Sequence, residues 1–245
     1  GVFMTTDRVN HFLFEDYEKD GAYKEEFLEF YRKVDDYIGK IRQQLDDDVT
    51  LVVASDHGFT TLEYEVHFNQ WLQQGGWLSY DSDEPDELAD IASDTRAYSL
   101  IPGRFYINLE GREPRGSVPQ AEYESVRAEL KEELESLTGP DGNPVAERVE
   151  TKENAFRGDH EDIAPDLVVI PNHGFDLKAG FSDGGDVFGT GPRNGMHSFD
   201  NACLYIDDPE ARIADADLYD VAPTILSLLD IDYDRGSFDG ATLVK

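Results

Sequence analysis

The stretch that decides the fold is Thr50-Leu51-Val52-Val53-Ala54, which leads directly into Ser55-Asp56-His57-Gly58. A continuous apolar run of this length predicts a strand that is buried on both faces of a sheet. Ligands of open α/β sheets bind beyond the carboxyl ends of the strands, which is where Asp56 and His57 stand. Both residue types are good zinc ligands, but a turn with a capping Asp56 accounts for the segment equally well.

Other apolar patterns extend this sheet in both directions. Strands are expected at residues 1–5, 50–54, 167–170 and 202–206, with a strand in a different environment at 104–108. Apolar stripes predict helices at 23–45, at 119–137 and from about Asp220 onward. The alternation predicts an α/β, three-layer sandwich with a central, mostly parallel sheet and helices on both faces.

Residues 81–165 interrupt this alternation with an acidic loop, several Pro and Gly residues and an isolated strand. We therefore expect an inserted α+β lobe at 81–165. The metal-binding core would then consist of a first part at 1–80 and a second part at 166–245. Within the lobe, the segment around His160 at 158–162 favours an exposed acidic turn over a metal site.

The charge balance excludes some functions. The 245 residues include 53 Asp and Glu against 21 Lys and Arg, a formal net charge of −32. Nucleic-acid binders neutralise phosphates with clustered Lys and Arg, so no binding of duplex nucleic acid is expected. The same charge argues against docking on an anionic membrane, and no apolar run is long enough to span one. The oligomeric state stays open.

The abundance of Asp, even in loops such as Asp46-Asp47-Asp48, favours a salt-adapted (halophilic) protein over an ordinary acidic one. Molar salt shortens the screening length to about 3 Å, which mutes self-repulsion. This interpretation favours a cytoplasmic location, and no signal peptide is visible, although the compartment is otherwise open. The single cysteine, Cys203, lies in an apolar run and is expected to be a buried thiol.

Two more segments repeat the pattern of an acidic or imidazole side chain near a strand. Asp7 and His11 stand four residues apart, so one helical turn would present both to one metal ion. An N-cap Asp7 with an exposed His11 is the alternative. His197 follows a glycine-rich loop at 179–195 and precedes the strand at 202–206. A single histidine in a loop does not by itself predict a functional site.

Together these motifs resemble the alkaline phosphatase superfamily, and most closely its type I phosphodiesterase/nucleotide pyrophosphatase branch. Further matching segments are Asn69-Gln70-Trp71-Leu72, Gly111-Arg112-Glu113-Pro114-Arg115-Gly116, Ala164-Pro165-Asp166-Leu167, Tyr219-Asp220-Val221-Ala222-Pro223 and Phe238-Asp239-Gly240. The resemblance covers essentially the whole chain.

The resemblance implies two zinc ions, with Mn²⁺ or another divalent ion as the alternative. One ion would be bound by Asp7, His11 and His197. The other would be bound by Asp56, His57 and a further Asp. The implied reaction is two-metal hydrolysis of a phosphodiester or nucleotide pyrophosphate bond in a small phosphate ester or nucleotide, through a covalent phospho-enzyme.

The chain departs from the family pattern in two respects, because the further Asp and the Thr or Ser nucleophile have no counterpart. Both are expected upstream of Gly1, which would make this chain the C-terminal part of the enzyme and leaves open whether it acts alone. The alternatives are a sulfatase-like or phosphomutase-like enzyme and a non-catalytic metal-binding module. Arg112 and Arg115 either contact substrate phosphate or, as is commoner, pair with carboxylates inside the lobe.

Overall fold

The computed structural model describes residues 1–158 and 160–244 and shows a mixed α/β protein. The described residues form helices α1 (Met4–Glu18), α2 (Lys24–Arg42), α3 (Phe68–Gln74), α4 (Tyr123–Ser136), α5 (Lys152–Ala155) and α6 (Val221–Leu228). Their strands are β1 (Val52–Ala54), β2 (Gly58–Thr61), β3 (Tyr64–His67), β4 (Ala97–Ile101), β5 (Arg104–Ile107), β6 (Ala146–Thr151), β7 (Leu167–Pro171), β8 (Phe175–Lys178), β9 (Phe188–Gly189), β10 (Gly195–Ser198) and β11 (Leu204–Ile206).

The chain divides into two compact units. Unit 1 comprises Gly1–Thr60 and His197–Lys245, and unit 2 comprises Thr61–Met196. The chain passes from one unit to the other within β2 and again within β10. The metal-binding core expected at 1–80 and 166–245 and the inserted lobe expected at 81–165 stay a prediction.

Unit 1 is built from α1, α2, α6 and the antiparallel pair β1–β11. The stripe of apolar residues spaced three and four apart predicted α2, whose Phe27 is buried. Phe27 stacks on Tyr17 of α1 with ring centroids 4.9 Å apart, and Tyr31 donates a 2.8 Å hydrogen bond to Asn10 Oδ1. These aromatic and polar contacts hold α1, which carries Asp7 and His11, against α2.

Unit 2 contains the hydrophobic core. Its larger sheet has the strand order β4-β5-β7-β6, with antiparallel neighbours throughout, and a smaller sheet has the order β8-β3-β9. Helix α4 buries Val126, Leu130 and Leu134 from the stripe that predicted it. The turn around Pro119 precedes α4, so the helix begins four residues later than the predicted 119–137.

The prediction of one central, mostly parallel sheet is wrong, because the strands of the described residues form four small sheets. Among the described pairings with a defined register, only β3 with β8 is parallel. Leu167 to Ile170 of β7 are all buried, yet β7 pairs antiparallel with both of its neighbours. A continuous apolar run therefore reports burial on both faces and not the direction of the neighbouring strand.

Two local expectations also need correction. The apolar run at residues 1–5 was expected to be a strand, but α1 begins at Met4, and periodicity cannot distinguish strand from helix over so few residues. Cys203 is exposed instead of buried, because it precedes β11 at the edge of a two-stranded sheet. In the acidic segment 158–162, Asp159 lies outside the described residues.

Candidate metal centre

All five sequence-predicted ligands belong to unit 1. Asp7 and His11 lie within the first eight residues of α1, one turn apart on one face of the helix. Asp56 and His57 follow the end of β1, and His197 lies in β10. The local structures predicted for the first four residues, one helical turn and one strand end, are therefore present.

The Asp7 carboxylate lies at the centre of the histidines. Asp7 Oδ1 is 3.1 Å from His197 Nε2, 3.6 Å from His11 Nε2 and 4.0 Å from His57 Nε2. The ligand atoms of Asp7, His11 and His197 all lie within 4.8 Å of one another. Ligand atoms around a tetrahedral zinc ion are about 3.3 Å apart, so this donor set has a spacing that fits one ion.

Asp56 is less closely associated with the cluster. Its side chain is 85 % exposed, and its Oδ1 lies 3.7 Å from His57 Nε2. His57 stacks on His197 with ring centroids 3.7 Å apart. The structure thus brings together Asp7, His11, His57 and His197, whereas Asp56 reaches the group through His57.

The orientation of His57 is fixed by the backbone of the residue that follows it. Its Nδ1 lies 3.0 Å from the Gly58 carbonyl oxygen, and because a carbonyl can only accept, Nδ1 carries the proton in this hydrogen bond. In a neutral ring the lone pair then lies on Nε2, the atom that is 4.0 Å from Asp7 Oδ1. A histidine that binds a metal ion through Nε2 requires this tautomer.

The environment of His197 also favours a neutral ring. Partial burial is the main reason why the pKa of His197 lies below its usual value, and the charge of the neighbouring His57 is the second. The hydrogen bond to Asp7 opposes this shift. A neutral imidazole is the form that binds metal ions.

Phe59 is a residue of the centre that sequence reasoning missed. It is 7 % exposed, and its ring centroid lies 5.0 Å from His11, 5.5 Å from His57 and 5.1 Å from His197. Two of these contacts are edge-to-face, which restricts the tilt of the imidazoles. The sequence feature that could have identified Phe59 is its position two residues after His57, at the start of the next strand.

The remaining sequence candidates lie in unit 2 and have other roles. Arg112 forms a two-pronged ion pair with Asp166 at 2.7 and 2.6 Å and a further pair with Glu113. Arg115 donates to the carbonyl groups of Ala89 and Ile91. Arg115 also pairs with the Asp81 carboxylate at 3.3 Å, so both arginines form carboxylate pairs, which is the commoner of the two alternatives.

Comparison with known families identifies the chain. A family model described as type I phosphodiesterase/nucleotide pyrophosphatase matches residues 1–200. The chain belongs to this family. The family suggests a phosphoester hydrolase and generally depends on divalent metal ions, and the match includes every candidate ligand. Searches of curated proteins and of solved structures gave no match.

The helices of this family member are too short or too polar to cross a membrane, as far as the structure describes them.

Proposed function

We propose that this chain provides the metal-binding and phosphate-binding part of a hydrolase that cleaves phosphodiester or nucleotide pyrophosphate bonds. The observation that carries the proposal is the convergence of Asp7, His11 and His197, whose ligand atoms lie within 4.8 Å of one another. The family match adds the reaction class, because it spans all three residues.

The donor set is suited to a divalent ion. Asp7 supplies a carboxylate oxygen, and His11 and His197 supply imidazole nitrogens, a combination that favours Zn²⁺ while Mn²⁺ remains the alternative. When bound, the ion polarises a phosphoryl oxygen as a Lewis acid. Asp7 offsets the charge of the ion, and Phe59 restrains the rings of both histidines.

Asp56 and His57 are the proposed ligands of a second Zn²⁺. Support comes from the stacking of His57 on His197 and from the proton on His57 Nδ1, which leaves Nε2 able to bind an ion. The exposed Asp56 side chain would rotate toward that ion. The Thr or Ser nucleophile and the further Asp that the resemblance implies are assigned to no residue of this chain.

The experiment measures metal binding first and hydrolysis second. Zn²⁺ stoichiometry and affinity are determined on the 245-residue chain, for which we expect at least one tightly bound ion. Hydrolysis is then compared for a chromogenic phosphodiester, a phosphate monoester and a sulfate ester, using protein from the whole reading frame that encodes this chain. We expect preference for the diester. Absence of Zn²⁺ and Mn²⁺ binding, or preference for the sulfate ester, would overturn the proposal.

We also propose that the acidic surface is an adaptation to high salt. The support is the net charge of −32, whose self-repulsion is strongest in dilute buffer. Thermal unfolding in about 0.1 M and about 3 M KCl tests this, since screening should raise the melting temperature at the higher concentration. Coincident melting curves would contradict the proposal.

A further inference from the structure

Asn201 lies just outside the candidate metal centre, in the turn that follows β10. Its backbone has φ = 54°, a left-handed conformation that Asn tolerates better than most residues. The turn brings its side chain back to the strand segment that begins after His57. Sequence reasoning assigned no role to this residue.

The Asn201 amide binds both backbone polar groups of one residue. Its Oδ1 accepts a 3.0 Å hydrogen bond from the Phe59 N–H, and its Nδ2 donates a 2.9 Å hydrogen bond to the Phe59 carbonyl. The side-chain amide thereby forms the two hydrogen bonds that the backbone of a residue in a neighbouring strand would form. The buried Ser198 hydroxyl lies 3.0 Å from the same Oδ1 and fixes the amide from the other side.

The residues that Asn201 joins are neighbours of three proposed ligands. Ser198 is adjacent to His197, and Phe59 is two residues after His57. The Phe59 ring contacts His57, His197 and His11. Holding the Phe59 backbone therefore fixes the ring against which the imidazoles rest.

Gly58 gives independent support for a close approach at this point. A Cβ built on Gly58 would overlap Asn201 Oδ1 and the Asp200 carbonyl oxygen. The backbone before Phe59 thus passes so near the turn that only glycine fits. We infer that Asn201 is a positioning residue that sets the spacing of the metal ligands by clamping Phe59 to the turn after His197. This inference rests on the proposed function.

The test compares variants of the 245-residue chain. Asn201→Gly removes the amide without strain, because glycine adopts positive φ freely. Asp215→Gly is the matched control, since Asp215 is an exposed residue of unit 1 with φ = 63°. Zn²⁺ affinity is measured by competition with a chelator. The visible absorption spectrum of bound Co²⁺ reports the ligand geometry, which a merely structural residue would leave unchanged.

We expect Asn201→Gly to weaken Zn²⁺ binding by about 10–100-fold, the usual effect of losing a group that orients metal ligands. We also expect a changed Co²⁺ spectrum, with wild-type behaviour for Asp215→Gly. If circular dichroism shows that Asn201→Gly is unfolded, Asn201→Asp decides instead, because it keeps the shape but loses the donor to the Phe59 carbonyl. Wild-type affinity and spectrum in the folded variant overturn the inference while the proposed function stands. Absence of Zn²⁺ binding by the wild type overturns the proposed function itself.

Discussion

Unit 2 and unit 1 differ in how they are held together. Every residue of the continuous hydrophobic core belongs to unit 2, including the fully buried Phe105 and Leu130. In unit 1, the buried apolar residues within the described part of the chain are Phe27, Phe59, Ile206, Pro223 and Val244. Large exposed apolar residues are concentrated in unit 1, and only Leu100, Ile101 and Ile163 are described as such in unit 2.

The candidate metal centre lies in the unit with the smaller core. Its ligands are ordered by one helical turn, by ring contacts with Phe59 and by hydrogen bonds, and not by deep burial. Stability and metal binding should therefore respond to different residues. Trp71 and Trp77, the only two tryptophans of the chain, both lie in unit 2, so their fluorescence reports the unfolding of that unit separately.

The largest expected effect is on the buried ion pair of unit 2. Asp166 is fully buried and accepts hydrogen bonds from Arg112, from the Tyr123 hydroxyl and from the Ile107 N–H. Asp166→Ala would leave Arg112 without this partner and should lower the free energy of unfolding by about 3–5 kcal/mol. Urea unfolding followed by tryptophan fluorescence measures this loss.

Asp83→Ala provides the control for that prediction, because Asp83 is an exposed acidic residue of the same unit. Its effect should stay within about 0.5 kcal/mol. Equal effects of the two variants would show that the buried pair does not dominate the stability of unit 2.

The second effect concerns apolar burial and compares the units directly. Leu130 is fully buried in α4, whereas Leu229, which follows α6 in unit 1, is 63 % exposed. Leu130→Ala should destabilise unit 2 by about 2–5 kcal/mol through the cavity that it leaves. Leu229→Ala should have little effect on thermal unfolding measured by circular dichroism. A large loss from Leu229→Ala would mean that unit 1 depends on a core that its exposed surface does not reveal.

Sequence patterns predicted the elements better than their pairing. The stripe of α2 and the buried run of β7 identified those elements, because periodicity reflects which faces are covered. The sequence contains no comparable pattern that indicates the direction of the neighbouring strand. We expected β1 and β7 to belong to a parallel sheet, but both form antiparallel pairs. Asp7 and His11 lie close together as predicted, because residues four apart lie on the same face of a helix.

The supporting residues of the centre could not be predicted in the same way. Phe59 and Asn201 act through ring contacts and backbone hydrogen bonds between segments that are 142 residues apart. Neither residue type suggests metal chemistry, so only the folded arrangement identifies them. His197 was recognised through the family resemblance rather than through its local sequence.

The third expected effect is on metal binding alone. His197→Ala removes a proposed ligand, so Zn²⁺ affinity should fall by more than the roughly 10–100-fold that is lost with a residue that only orients the ligands. Because the His197 side chain is half-exposed, the unfolding of unit 2 should be unchanged. His173→Ala, an exposed histidine of unit 2, is the control and should retain wild-type affinity. Equal Zn²⁺ affinity of the His197 and His173 variants would contradict the ligand assignment.

The smallest effect tests whether buried aromatic rings serve different purposes in the two units. Phe59→Leu keeps an apolar side chain beneath the histidines but removes the ring edge, so Zn²⁺ affinity should fall by up to about 10-fold. Phe105→Leu, at a fully buried position of unit 2, should cost up to about 1.5 kcal/mol of stability and leave Zn²⁺ affinity unchanged. Chelator competition and tryptophan-detected unfolding are measured on both variants. If Phe59→Leu and Phe105→Leu lose Zn²⁺ affinity equally, then Phe59 contributes only to the stability of the fold. That result would contradict the division between a unit that provides stability and a unit that binds metal.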